Sequence, residues 1–588
     1  MTYVARCVLA PVLTVAMLAA AAAPAADAQT RRPGGGTTTC SPVPPRAAGK
    51  ATLVRDGVST EYASLEAALT AAAGGDRILL QAAHDYVPQS QSFKLPYKPG
   101  AGWITIESDN AAALPAGTRV GPAERSAMPR LLTMCDAHPV LVTEHVGSGK
   151  ASHHYRFVGI EVTTLSNTYV SHLIRLASEV GAETETSIAD LPHSFVFERS
   201  YIHGKADTGT RRGIALNAGN GVVVRTGDGR WPNPIDWTQT TGGVKIVDSY
   251  FSDFKHGSYD TQAILGWNGK GPFLIENNYL EGAGENVMFG GQDPKIGNLV
   301  PGDIEIRRND FHKPSAWNKW INGGTDPWAV KNLFELKNAE RVLVEKNVFE
   351  NNWVDDQNGF AILFTPRNQN GTAPWSVVRD VRFERNVVRN VSAGINMLGE
   401  DDTRGRTSEY TTNIMIRYNL FQIVPHTQWG GTGNNNAGRF MQVLKGVRNL
   451  TVDHNTSFHS RAISFSIGES NPGLVFTNNV AQHNDYAVLG NNSGISGDGT
   501  NPGAPTLDRY FFSAAPDRNV LFNVGTGSWN YYGWNDLLRG TPTFDPEYVL
   551  TGPQPTWLPV GTAPGSPEWP GIDAAVTADV SGVVQQRP

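Results

Sequence analysis

The chain is short of charge, of cysteine and of long apolar runs. Asp, Glu, Lys and Arg make up 18% of 588 residues, and the formal net charge is −6. No basic stripe marks it as a nucleic-acid binder. An acidic ligand stays compatible, since a local basic cleft can sit on an acidic body. Three cysteines are too few for a disulfide-stapled scaffold. After the N-terminal residues no apolar stretch is long enough to span a bilayer, which argues against stable membrane insertion. The histidines are scattered, with His153-His154 an isolated pair flanking a strand, which argues against a zinc site. There is no G-x-S-x-G elbow and no phosphate-binding glycine loop.

What is present begins with a leader. Arg6 supplies a positive n-region, Cys7 to Ala23 an apolar h-region, and Ala26-Asp27-Ala28 a small-x-small cleavage site. This predicts a signal peptide over 1–28 and a secreted, extracellular or periplasmic, mature chain. Cys40 and Cys135 then remain in an oxidising compartment, either as one disulfide or as two separate thiols.

One pattern recurs along the body: apolar-x-apolar-x-x-(Asn or Ser)-x-apolar. It appears as Phe195, Phe197, Ser200, Ile202, then as Val244, Ile246, Ser249, Phe251 and Phe273, Ile275, Asn278, Leu280. It returns around Asn309, Asn347, Asn386, Asn419, Asn455 and Asn479, mostly at intervals of roughly 24 to 39 residues. Period-two alternation over so short a segment is a strand with one buried face. The polar anchor turns the chain, and the next apolar residue re-enters the core. Further apolar runs, such as Ile214 to Leu216, Val287 to Phe289 and Phe360 to Phe364, give each coil two or three short strands. Stacked coils bury a core that no single coil can bury. Aligned anchors can bond along the column, a structural rather than a catalytic device.

The predicted fold class is therefore all-β, a single-stranded right-handed parallel β-helix with an N-terminal helical cap and an irregular C-terminal tail. Ala63 to Ala73 reads as the cap, with Leu65, Ala68, Leu69 and Ala72 on one face, covering the open strand edges of a solenoid end. The boundaries predicted are 29–50 for a flexible N-terminal segment, 51–500 for the β-helix, and 501–588 for a C-terminal cap and tail containing Trp529, Tyr531, Tyr532 and Trp534.

The segments Arg211 to Asn217, Asp260 to Gly269, Asn277 to Gly291, Asn332 to Asn352 and Gly359 to Arg367 resemble bacterial β-helix repeat proteins of the pectin-lyase-like superfamily. The resemblance covers roughly residues 50 to 500. It implies the fold, and an activity among pectate, alginate and chondroitin lyases, polygalacturonases and phage tailspikes. The polygalacturonase set (Asn-Thr-Asp, Asp-Asp, Gly-His-Gly) and the pectate-lyase Arg-x-Pro-x-x-Arg are missing, so no catalytic residue carries over from it.

Equivalent residues of successive coils stand about 4.8 Å apart, so outward residues form ladders. Charged or polar residues entering or within the second strand of each coil are Arg211, Arg212, Asp260, Gln262, Glu285, Lys331, Glu335, Lys337, Asp355, Asp356, Arg367, Glu400, Asp401 and Asp402. Alternation places Phe334 and Leu336 inside, and Glu335 and Lys337 outside. Such a row is either a solvated, salt-bridged face or a reactive wall. Asp260, Glu285, Lys331, Glu335 and Arg367 are the candidate catalytic residues. Arg212, His256, Gln262, Trp267, Trp317, Trp320, Trp328 and Trp353 are candidates for substrate binding, the tryptophans because exposed rings can stack on pyranoses.

Two mechanisms follow. In β-elimination Lys331, Arg367 or Arg212 neutralises a uronate carboxylate, and Lys331, Lys337 or His256 removes the proton. Asp260, Glu285 and Glu335 then make a candidate Ca²⁺ set. In hydrolysis two carboxylates act, with partners one coil apart near about 5 Å suiting retention and partners two coils apart near about 10 Å approaching inversion. The first functional reading is a secreted lyase or hydrolase acting on a polysaccharide. The alternative is a non-catalytic glycan-binding or cell-surface adhesion protein. The sequence carries no signal for oligomeric state.

Overall fold

The computed structural model describes residues 46–133, 138–165, 170–178, 183–206, 209–229, 231–324, 328–401, 403–484, 486–491, 502–511, 514–517, 519–524, 543–544 and 550–552. The leader, Cys40, Cys135, Asp402 and the aromatic residues from Trp529 to Trp534 lie outside them, as does most of the 29–50 segment.

Apolar-x-apolar segments pair in parallel with their counterparts one coil away. Phe273–Glu276 aligns Ile275 with Ile246 on one side and Ile306 on the other, and the row continues through Val344, Phe383, Ile416 and Val452. Every member of that row is 0% exposed, and burying such a side chain contributes about 1.5–3 kcal/mol. Aromatic rows stack in the same way, Phe157 on Phe197 at 5.1 Å and Phe311 on Phe349 at 4.3 Å between ring centroids. Among the described residues the strands form three long sheets of 15, 13 and 12 strands, visited in turn by each coil. The chain is a right-handed parallel β-helix.

Between the first and second sheets stands the anchor column. The residue before each anchor takes left-handed backbone, for example Asn277 (φ 53), Arg308 (φ 55), Lys346 (φ 56) and Arg385 (φ 55). That conformation costs an L-residue about 1–2 kcal/mol, and the anchor amide offsets it. Asn309 Oδ1 accepts from the backbone N–H (2.9 Å) and side chain (3.0 Å) of Asn278, and its Nδ2 donates to the Ile275 carbonyl at 2.8 Å. Asn347, Asn386, Asn419, Asn455 and Asn479 repeat this set in single file. Ser249 and Ser200 continue it toward the N-terminus, where the spacing widens to 49 residues to accommodate the excursion before Val244.

The N-terminal cap is a helix over Leu65–Ala71, shorter than Ala63 to Ala73. Ser64 Oγ caps it by accepting from Ala67 N at 3.2 Å, and Leu65, Ala68 and Leu69 are buried. A hairpin of Ala51–Arg55 and Val58–Tyr62 precedes it and lies antiparallel on Arg77–Leu80. At the other end the β-helix runs past residue 500. Ala515–Asp517 and Val520–Val524 pair with the preceding coil, and Asn519 takes up the column bonds of Asn479. The motif is hard to see there because Pro516 stands opposite Phe476. No helix of the described residues is long and apolar enough to cross a membrane.

Candidate functional site: a charged array at the mouth of the third sheet

The third sheet receives each coil after the loop that leaves the second. In Arg212–Leu216, Gln262–Gly266 and Glu285–Phe289 the first residues are polar and in register, Arg212 beside Gln262 beside Glu285. By alternation they share the side of Ile214, Ile264 and Val287, two residues further on. They therefore begin their strands on the core side, rather than forming an outward ladder, and are 6%, 0% and 0% exposed. Buried polar groups must be paired. Arg212 Nε donates to Gln262 Oε1 at 2.7 Å, and Gln262 Nε2 donates to Glu285 Oε2 at 2.6 Å. Arg212 Nη1 also lies 3.3 Å from Nε2 of the buried His172.

Close packing of two coils sets this geometry. A Cβ on Gly284 would lie 2.7 Å from the backbone N and O of Thr261, so only glycine lets the turn before Glu285 rest on the turn between Asp260 and Gln262. The Lys313 ammonium fastens the same turn, donating to the carbonyls of Ala283 (2.9 Å) and Gly284 (3.1 Å).

Around this buried row lie groups that reach solvent. Lys331 pairs with Asp260 and stands 3.8 Å from Asp356; the side chains of Lys331, Asp260 and Asp356 are 11%, 26% and 55% exposed. Arg211 Nε donates to the Asp260 carbonyl at 2.9 Å. Glu335, on the outer side, is buried beneath its partners. Asn332 Nδ2 and Thr365 Oγ1 each donate to it at 3.2 Å, and Lys337 Nζ lies 3.4 Å away. Arg367 turns to the next coil and donates to Asp401 at 3.1 Å.

The electrostatics separate the carboxyls. Burial, with Asp260 and Glu335 adding to it against Lys331 and Lys337, pushes Glu285 up to about 7. Burial also works to raise Asp260, but Lys331, Lys337 and Arg211 outweigh it and leave Asp260 below its ordinary value. Burial works to lower Lys331, yet Asp260 and Glu285 outweigh it and hold its proton more tightly than usual. Lys331 is thus placed to neutralise charge rather than to accept a proton. His256 Nδ1 accepts from the backbone N–H groups of Ser258 (2.9 Å) and Tyr259 (3.1 Å). A neutral ring therefore carries its proton on Nε2, and burial lowers its proton affinity. That arrangement does not suit a general base.

The candidate Ca²⁺ set is not assembled. Glu285 and Glu335 are turned to amide and hydroxyl donors, and Asp260 to Lys331. Among the described residues the group of three or more metal-ligating side chains within 4.8 Å of one another is instead Asp310, His312 and Glu350, on the second sheet.

The tryptophans divide. Trp267 (0% exposed) packs with Ala215, Leu265 and Met288 on the outer side of the third sheet. Trp353 and Trp317 (1% and 6%) are buried with Ala283 and Val330, and the Lys255 ammonium sits 5.1 Å from the ring centroids of both Trp317 and the half-buried Trp328. None of these buried rings offers a face to a sugar. Trp320 does, at 49% exposed; its Nε1 donates to the Val354 carbonyl at 2.7 Å, beside the segment that carries Asp356. Sequence reasoning missed His172 and the structural part played by Lys313. Each is a single polar residue with no repeating neighbour to flag it.

No family model and no curated protein matches the chain. Solved structures similar to it include a PL6 alginate lyase in complex with a trisaccharide, at 10% identity and TM-score 0.43 over 82% of this chain and 86% of that one. PfbA, a surface adhesin of Streptococcus pneumoniae, matches at 11% identity and TM-score 0.35 over 77% of this chain and 83% of its own. A tailspike protein of E. coli bacteriophage HK620, solved with a hexasaccharide, matches at 11% identity and TM-score 0.36 over 78% of this chain and 60% of the tailspike. At such identities the likeness concerns the fold, which is that of the parallel β-helix proteins.

Proposed function

We propose that the protein is secreted and acts on an acidic polysaccharide at the mouth of the third sheet, cleaving it with Asp260 and Glu285 while Lys331 receives a substrate carboxylate. The observation that carries this reading is convergence. Charged residues from separate coils, Asp260, Glu285, Lys331, Glu335 and Lys337, lie close enough to act on one another's protonation. A merely solvated face does not require carboxylates and ammonium groups from different coils to meet at one spot.

Two neighbouring carboxyls with proton affinities driven apart make an acid and a base or nucleophile. Glu285 has the character of the acid and Asp260 that of the ionised partner. This favours hydrolysis over β-elimination, because the Lys331 ammonium and the His256 Nδ1 are already committed. Lys331, Lys337, Arg211 and Arg367 supply the positive wall for uronate groups, and Trp320 a ring for stacking.

A second reading, glycan binding without cleavage, is favoured by one observation: Glu285 is 0% exposed, so reaction requires the Lys331–Asp260 pair to open over it. The test incubates the mature protein with a panel of polyuronates and neutral glycans. New reducing ends without near-ultraviolet absorbance, lost in Asp260→Asn and Glu285→Gln, are the expected result. Absorbing unsaturated ends would replace hydrolysis by elimination. Glycan retention with no cleavage on the whole panel would establish the binder instead.

A further inference from the structure

The outer side of the second sheet carries a polar row distinct from the array at the third. In register, Glu281, His312, Glu350 and Arg389 follow one another on successive coils. Asp310 lies two residues before His312 on the same side of its strand, with Phe311 between them buried in the core at 0% exposed. Asp310, His312 and Glu350 are 8%, 5% and 8% exposed, and one ligand atom from each lies within 4.8 Å of the other two.

The surroundings orient these atoms. Arg389 Nε donates to Glu350 Oε1 at 3.0 Å, which leaves Oε2 facing His312 Nδ1 at 3.3 Å. The Tyr279 ring flanks His312 at 5.7 Å between centroids, and its hydroxyl donates to Glu281 Oε1 at 2.8 Å. A carboxylate gripped from behind so that its second oxygen meets an imidazole is the outer-sphere arrangement that tunes metal ligands.

We propose that Asp310, His312 and Glu350 bind a zinc-class divalent cation that ties two neighbouring coils together on the second sheet. Zn–O and Zn–N bonds of about 2.0–2.2 Å need only small side-chain rotations from the present spacing. Two carboxylates balance a double positive charge, and the imidazole disfavours the hard ions Ca²⁺ and Mg²⁺. Three protein ligands leave a fourth position for water.

The experiment uses tag-free full-length protein stripped with a chelator and titrated calorimetrically with Zn²⁺, and in parallel with Ca²⁺. A second histidine group has to be separated from this site. On the first sheet His153, His154 and His193 touch through their rings, with centroids 4.9 to 5.6 Å apart. One equivalent of Zn²⁺ is expected to be lost in His312→Ala and Asp310→Asn and kept in His193→Ala, with Ca²⁺ binding at least tenfold weaker. Co²⁺ in place of Zn²⁺ should give d–d absorption bands in wild type that His312→Ala lacks. Wild-type protein that takes up no Zn²⁺ overturns the proposal, and this result does not depend on any variant folding. Equal uptake by wild type and a folded His312→Ala variant, judged by circular dichroism, overturns it as well. In either case His312 would serve only as an ion-pair partner of Glu350.

Discussion

The anchor column and the array at the third sheet are both rows of buried polar side chains running along the β-helix, and they solve the burial of polarity in opposite ways. Each station of the column is a neutral amide or hydroxyl, and from Asn278 onward one set of bonds recurs from coil to coil. The array changes residue at every coil, from Arg212 to Gln262 to Glu285, and mixes buried charge with groups that reach solvent. Repetition satisfies every donor and carries no net charge. Irregularity leaves a carboxyl at about 7 beside an ionised one. The contrast separates a row kept for stability from one suited to chemistry.

The comparison can be broken at its stable side. Asn347 receives two bonds from Asn309 and donates to the Ile306 carbonyl and to Asn386. Asn347→Ala strands the buried N–H of Asn309 and should cost about 3–5 kcal/mol in denaturant unfolding. Asn347→Ser should cost less, because serine already serves at Ser249. Equal losses would mean that amide length, not donor satisfaction, holds the column.

The next largest effect should come from the array. Lys331→Met leaves Asp260 uncompensated. A fully buried pair broken this way costs about 3–5 kcal/mol; partial exposure of both side chains reduces the expectation to about 1–2 kcal/mol. Asp260 is held below its ordinary value, so this contribution is present above the unfolded carboxyl pKa and is lost as pH falls through the folded one. Melting of wild type and variant should therefore converge in acid.

Glu285 behaves with the opposite sign. Its folded value of about 7 lies above the ordinary 4.5. Between those values the unfolded chain releases a proton that the folded chain keeps, so stability falls as pH rises. Glu285→Gln keeps an acceptor for Gln262 and should gain about 1 kcal/mol over wild type at pH 8, and little at pH 4.5. A gain independent of pH would remove the titration account. The smallest effect belongs to the surface: Trp320→Ala should change stability by about 0.5 kcal/mol or less, while weakening retention on an acidic-glycan column.

The fold was legible because its signal is local. Two apolar residues, a turn and an anchor fall within one short segment, and the copies needed only to be noticed. The early coils at Trp103 to Ile106 and Tyr155 to Val162 appear as the strands Ile104–Ser108 and His153–Val158. The charged residues flagged for stacking include Asp260, Glu285 and Lys331, which do meet.

What escaped notice depends on which side chains loops of unequal length bring together. Polarity suggested that Glu285 faces outward, whereas it begins its strand on the core side. The tryptophan excursion pins itself to the body through Trp317 and Trp328, a contact that no local pattern announces. Histidines that look scattered in the chain are gathered, His193 beside His153 in register across 40 residues, as are His312 and Glu350.

The direction of the column bonds has a consequence for how the molecule can change length. Each asparagine spends its amide on the coil behind it and offers its backbone N–H to the coil ahead. An additional turn therefore needs only one such residue to be accepted, and the last one described, Asn519, obeys the same grammar. Duplicating a coil downstream of residue 400 should lengthen the rod without redesign. The same duplication between Arg212 and Glu335 would separate partners that have no copies, so growth is free at one end and forbidden in the middle.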